Sequence, residues 1–211
     1  MKNSALLRQF ETPRLVISAW PDSANHQVPN MAELAGMTLD ILTPNVTRAL
    51  PPGWQNIHNL EGAKIWLEAR VEECSFLVVS KRETSQVIGF IFLHEERHQE
   101  QQGQELPNAK VVTLHLGYLL AESQWGQGFA CEMIKGLVAW ARSPVNSVRS
   151  SVKDSLTHVC KIVAGVESSN LASIAVLVNT GFSLCSQLSE GSAKGVDDTD
   201  QQAFYHIVFQ D

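Results

Sequence analysis

The segment Leu116–Glu132, LGYLLAESQWGQGFACE, is where this sequence could do chemistry. An apolar run of strand character enters a turn holding Gly126 and Gly128, and the turn opens directly onto a helical pattern. The first turn of a helix carries N–H groups without intrahelical partners, and the helix dipole adds partial positive charge there. Glycines lack the Cβ that would keep an anionic group away from that backbone. A phosphate or pyrophosphate suits such a turn. The plain alternative is a glycine turn in front of a core helix. Two nucleotide motifs fail on local grounds. The dinucleotide fingerprint G-x-G-x-x-G needs glycine where Cys131 stands, and the P-loop ending G-K-[ST] is absent.

A second motif is a decoy. His94–His98 spells H-E-E-R-H. On a helix it would place two imidazoles on one face for zinc, with Glu95 as base. Here it follows the strand-like run Val87–Leu93 and leads into a polar stretch, and Gln101 stands where the metzincin extension needs glycine. No metal is expected. Trp20, Trp54, Trp66 and Trp140 read as core or groove lining.

The elements that would position these residues follow from hydrophobic period and breakers. Leu15–Trp20 reads as a strand after Pro13, Met31–Leu42 as a helix, and Leu60–Val71 as a helix burying Leu60, Ala63, Ile65, Trp66, Leu67 and Val71. Phe76–Ser80 and Val87–Leu93 form a hairpin, Glu95–Ala109 a solvated loop, and Val111–Leu120 a third strand. A helix over Gly126–Ala141 has Ala130, Met133, Ile134, Leu137, Val138 and Trp140 as its apolar face. The serine-rich Arg142–His158 is an excursion with one short helical turn, Cys160–Val166 a strand, and Ser169–Asn179 a helix stopped at Gly181. Ser183–Leu188 and Phe204–Phe209 are strands around a mobile loop, Glu190–Gln202. This order predicts a mixed sheet with helices on both faces, α/β or α+β, in a single domain over residues 1–211.

Composition excludes several classes. Apolar residues make up 44% and charged residues 18% of 211, which can fill a core. No apolar run approaches the roughly 18 residues of a membrane span, and MKNSALLRQF has no signal-peptide core. Four scattered cysteines read as reduced thiols of a cytoplasmic protein. A net charge of −6, from 16 basic and 22 acidic residues, disfavours nucleic acid as a partner and suits cationic substrates.

With these residues in view, the chain resembles the GNAT N-acetyltransferase superfamily, in its RimJ/RimL-like branch. That branch opens with T-P-R-L, matched by Thr12, Pro13, Arg14 and Leu15. Its coenzyme A loop, W-G-x-G-[YF]-A-x-E, is matched by Trp125–Glu132, and the preceding I-G-Y by Leu116, Gly117 and Tyr118. Downstream, N-x-x-S and G-F are matched by Asn170, Ser173, Gly181 and Phe182. The resemblance covers about Glu11 to Phe209.

It implies a GNAT-like, mostly antiparallel central sheet with acetyl-CoA as co-substrate. The backbone of Trp125, Gly126, Gln127, Gly128, Phe129 and Ala130 would hold the pyrophosphate. The strand end Leu119–Leu120 would splay from its neighbour, pair with the pantetheine arm and polarise the thioester carbonyl. Asn170 would hydrogen-bond the pantetheine, and Ser173 would lie near the sulfur. Trp54 falls in the region that lines the acceptor groove. Two positions depart from the family pattern. Leu177 stands where many members carry a tyrosine acid, and His115 where this branch has a glutamate before I-G-Y. An imidazole can serve as a base near neutral pH, so the implied catalytic residues are Ser173 and His115. The acceptor is an amine: a protein N-terminus, polyamine, amino acid or aminosugar. A catalytically silent acyl-CoA-binding module is the rival reading. Either a monomer or a homodimer is compatible with the sequence.

Overall fold

The computed structural model describes residues 7–22, 28–98, 110–143, 157–185 and 202–209. The strands are β1 (Gln9–Glu11), β2 (Leu15–Ala19), β3 (Ser75–Lys81), β4 (Val87–Arg97), β5 (Lys110–Leu120), β6 (Thr157–Glu167), β7 (Ser183–Leu184) and β8 (Gln202–Val208). The helices are α1 (Met31–Ile41), α2 (Pro44–Thr47), α3 (Leu60–Glu73), α4 (Phe129–Arg142) and α5 (Leu171–Asn179). Hydrogen bonding orders the strands β1-β2-β3-β4-β5-β6-β8-β7. The pairing of β5 with β6 is parallel, whereas β1–β2, β2–β3, β3–β4, β6–β8 and β7–β8 are antiparallel. The mixed, mostly antiparallel sheet expected from the sequence is therefore present.

The chain divides into two compact units, Met1–His94 with Gly117–Trp140, and Glu95–Leu116 with Ala141–Asp211. In the first, an aromatic cluster of Trp20, Trp66, Phe76, Phe90 and Phe92 packs with Leu34 and Leu67. Each such side chain contributes about 1.5–3 kcal/mol on burial. Helix α1 starts at a capping box, where the Asn30 side chain accepts from Glu33 N and the Glu33 side chain accepts from Asn30 N. Helix α4 buries Met133, Ile134, Leu137 and Val138. A Cβ on Gly136 would meet Phe10 and Thr12 side-chain atoms at 2.7 Å, so glycine lets α4 approach that first segment closely. In the second unit, β6 and β8 pair over Lys161–Glu167, and α5 follows β6 through an Asn170 cap.

Several expectations need correction. Strand β4 runs on through Arg97, so Glu95–Arg97 belong to a strand and not to a loop. Helix α4 begins at Phe129 and not at Gly126, because Gly126 and Gly128 sit at φ +72° and +78°, outside helical geometry. Leu60 and Ile65 are 53% and 59% exposed. Leu60 is the first residue of α3, and Ile65 is two residues beyond buried Ala63, on the opposite side of a helix with about 3.6 residues per turn. Arg70 takes the buried place instead, its guanidinium 4.1 Å from the Trp54 ring centroid and 2.6 Å from Glu73. β1, α2 and a 3-10 turn at Pro52–Trp54 are additions. The excursion over 144–156, most of the loop over 190–202 and the end of the strand expected at Leu188 lie outside the described residues.

Candidate active site

The glycine turn is a built structure. After β5 the chain makes a 3-10 turn at Glu122–Gln124, whose C-cap places Trp125 N–H on the Glu122 carbonyl at 3.1 Å. The Trp125 indole N–H donates to the Leu120 carbonyl at 2.9 Å, and the Gln127 side-chain amide to the Ser123 carbonyl at 2.9 Å. Glu122 in turn accepts from Asn45 at 2.8 Å and Thr43 at 3.3 Å, both at α2. Gly126 and Gly128 then adopt left-handed φ, where an L side chain is strained by roughly 1–2 kcal/mol. Among the described residues, no atom outside the adjacent chain lies within 4 Å of a Cβ built on Gly126.

Two residues from the chain's start, Thr12 and Arg14, hold this turn. Glu132, one turn into α4, accepts from Thr12 Oγ1 at 2.6 Å, from Arg14 N at 2.8 Å and from Arg14 Nε at 2.5 Å. Arg14 Nη1 also donates to the Gln127 carbonyl at 3.1 Å, and the guanidinium lies 4.3 Å from the Phe129 ring centroid. Lys81, at the end of β3, brings a second cation to 5.4 Å from the same ring. Partial burial acts to raise the Glu132 pKa, but the hydrogen bonds from Thr12 and Arg14 outweigh it and hold the carboxyl below its usual range. The turn can thus present backbone donors of a helix start, with Arg14 and Lys81 beside it, to a multiply charged anion.

The remaining residues singled out from the sequence fall as follows. The Leu119 carbonyl lies against β4, where a Cβ on Gly89 would collide with it. The β5–β6 ladder ends at His115↔Val163, although β5 continues to Leu120 and β6 to Glu167. Trp54 packs edge-on against Phe92 at 4.8 Å and Trp66 at 5.8 Å, as part of the aromatic core's margin. In the second unit, Asn170 caps α5 by accepting from Ser173 N at 3.1 Å, and Ser173 is half-buried. Leu177 is buried at 1% exposure. His115 is exposed, with Nε2 2.8 Å from Glu96 Oε2. The described residues hold no group of three or more His, Cys, Asp or Glu able to bind a metal, and H-E-E-R-H lies on β4 rather than on a helix.

In the sequence Arg14 and Glu132 belong to two separate motifs, 118 residues apart, and the structure makes them partners.

A family model described as acetyltransferase (GNAT) domain matches residues 9–183. No curated protein matches the chain in sequence. Among solved structures, the chain is similar to an acetyltransferase of the GNAT family from Bacillus anthracis, with TM-score 0.62, 13% identity, and coverage of 95% of this chain and 98% of that one. It is similar to RimL, a ribosomal-protein alpha-N acetyltransferase in complex with coenzyme A, with TM-score 0.58, 16% identity, and coverage of 93% and 95%. It is also similar to the microcin C7 self-immunity acetyltransferase MccE in complex with acetyl-CoA and AMP, with TM-score 0.60, 15% identity, and coverage of 93% of both chains. At these identities the likeness establishes the fold.

Proposed function

The chain belongs to the GNAT family of acetyltransferases, and on that footing we propose that it transfers acetyl from acetyl-CoA to a primary amine, with a protein N-terminal amine as the favoured acceptor. The observation that carries this reading is the clamped turn Trp125–Ala130, with two left-handed glycines opening α4 beside Arg14. The neighbours RimL and MccE, solved with coenzyme A and acetyl-CoA, support the donor, and RimL supports the acceptor class. Residues 1–211 act as one domain in this reading, since one family match, over residues 9–183, takes in residues of both units. A cytoplasmic setting fits its unpaired thiols.

Each residue then has a task. The backbone of Gly126–Ala130 holds the pyrophosphate, with Trp125 contributing its position, because its own N–H is engaged by Glu122. On the strand end, Leu120 carries the backbone that meets the pantetheine and polarises the thioester carbonyl, since the Leu119 carbonyl is turned against Gly89. Asn170 uses its Oδ1 as the α5 cap, so its amide nitrogen is the group that donates to the pantetheine. The acceptor ammonium loses a proton to His115 through a water, and the neutral amine attacks the thioester carbonyl. The C–N bond forms, the C–S bond breaks, and the second amine proton passes through the Ser173 hydroxyl to the departing thiolate, which leaves as coenzyme A thiol. Trp54 lines the acceptor side. Small-molecule amines are the alternative acceptor class.

The test measures thiol release from acetyl-CoA across a panel of peptide N-termini, polyamines, amino acids and aminosugars, beside calorimetric binding of coenzyme A. The reading expects binding together with release on at least one amine. Binding without release on any of them would identify an acyl-CoA-binding module and refute the transferase assignment.

A further inference from the structure

The H-E-E-R-H segment finds its partner on the neighbouring strand. As β4 runs past its apolar part, Glu96 comes beside His115 of β5, with Nε2 and Oε2 2.8 Å apart. Two residues on, His98 Nε2 meets Thr113 Oγ1 at 2.8 Å, and His98 N donates to the Val111 carbonyl. Strand alternation puts residues two apart on one face, so Glu96 and His98 form one polar row facing His115 and Thr113.

We propose that Glu96 is the positioning residue for His115 in the acetyl transfer. This rests on the reading of His115 as the base. The carboxylate accepts from Nε2–H, which fixes the neutral imidazole as the Nε2–H tautomer and makes Nδ1 the nitrogen that receives the ammonium proton. Once protonated, the imidazolium is held by the adjacent negative charge, and Glu96 itself stays ionised, as an orienting carboxylate does beside a catalytic histidine. The pair thereby does with two residues what a single glutamate on this strand would do. Charge around the pair favours the ionised carboxylate. The hydrogen bond from His115 lowers the Glu96 pKa, burial opposes it slightly, and the charges of His115, His98 on β4 and Lys161 on β6 lower it further. His206 of β8 stands one strand beyond, in register with Val163, which is itself paired with His115.

The pair is 44% and 56% exposed at its two side chains, so solvent screens it and the expected effects are small but directional. The experiment compares wild type, Glu96→Gln, Glu96→Ala and His115→Ala on one acceptor. It records kcat/KM against pH, donor KM, and the His115 tautomer by nitrogen-resolved NMR. Glu96→Gln keeps an acceptor oxygen and loses the charge, so the acidic limb of the profile moves to lower pH and kcat/KM falls about twofold to fivefold, with the tautomer and donor KM unchanged. Glu96→Ala also loses the acceptor, and the tautomer mixes. His115→Ala removes the limb. If His115→Ala leaves the limb in place, the base reading fails and this proposal with it. If His115→Ala removes the limb but both Glu96 variants keep wild-type profiles and tautomer, the base stands and the positioning role of Glu96 is overturned.

Discussion

Glu132→Gln is the perturbation that probes the clamp on the glycine turn most sharply. The carboxylate accepts three hydrogen bonds, from Thr12 Oγ1, Arg14 N and Arg14 Nε. A hydrogen bond to a charged group contributes about 1.5–3 kcal/mol when shielded. Thr12 is 8% exposed and approaches that range. The Arg14 side chain is 48% exposed, so its ion pair is screened to roughly 0.2–1 kcal/mol. Glutamine keeps one acceptor oxygen and replaces the other with an amide that cannot accept from Arg14. The Thr12 and Arg14 N bonds persist as neutral ones and the Arg14 Nε pair is lost, a net of about 1–2.5 kcal/mol. At about 2–4 °C per kcal/mol for a chain of this size, Tm falls by about 2–10 °C. The pH dependence has a definite sign. Glu132 is held below its unfolded value, so its contribution is complete above the ordinary carboxylate range near about 4.3. It is lost as pH falls through the folded value. Thermal unfolding followed by circular dichroism at pH 7 and near pH 4 should therefore show a Tm gap that narrows in acid. Equal Tm values at pH 7, or a gap independent of pH, would refute the clamp.

Further outcomes follow from other contacts. Ser173→Ala should lower kcat about tenfold to a hundredfold with little change in donor KM, because a hydroxyl serving the departing thiolate acts in the transition state; an unchanged kcat in single-turnover kinetics would leave Ser173 as an α5 residue only. Gly136→Val should destabilise by at least about 1–3 kcal/mol, since Phe10 and Thr12 already stand 2.7 Å from a Cβ there; chemical denaturation giving wild-type stability would contradict the close approach. Burial, only partly offset by Arg70, pushes the Cys74 thiol up to about 11. At pH 8 it should be the slowest of the four cysteines to alkylate in peptide-resolved mass spectrometry, and early labelling of Cys74 would show that its site opens.

The parts of this molecule legible in the sequence are those with strong local signals. The period of Met133, Ile134, Leu137 and Val138 announces α4, and the alternation and β-branching of Val111–Leu120 announce β5. Gly126 and Gly128 mark the turn because their φ values are ones other residues avoid. What stayed hidden depends on distant partners. Arginine favours the surface, yet Arg70 is buried because Trp54 and Trp66 supply ring faces and Glu73 supplies charge. Glu95–Arg97 read as loop because they are charged, and they are strand because β4 continues beside β5 into its polar pairings. The Arg14–Glu132 pair spans more than half the chain, and no local pattern reports such a contact. At the candidate site, the turn is legible as an anion cradle, whereas Glu96 stands in the sequence only within a false zinc motif.

The most direct test is calorimetric titration of coenzyme A into the wild-type chain and Gly128→Asp. Aspartate would add a side chain at φ +78°, about 3.6 Å from Arg14 Nη2, and a negative charge where the pyrophosphate is assigned. The account predicts saturable binding to wild type and severely weakened binding to a variant whose unfolding transition remains cooperative. Equal affinities for the two folded proteins would remove the pyrophosphate from the Trp125–Ala130 turn and contradict the account at its centre.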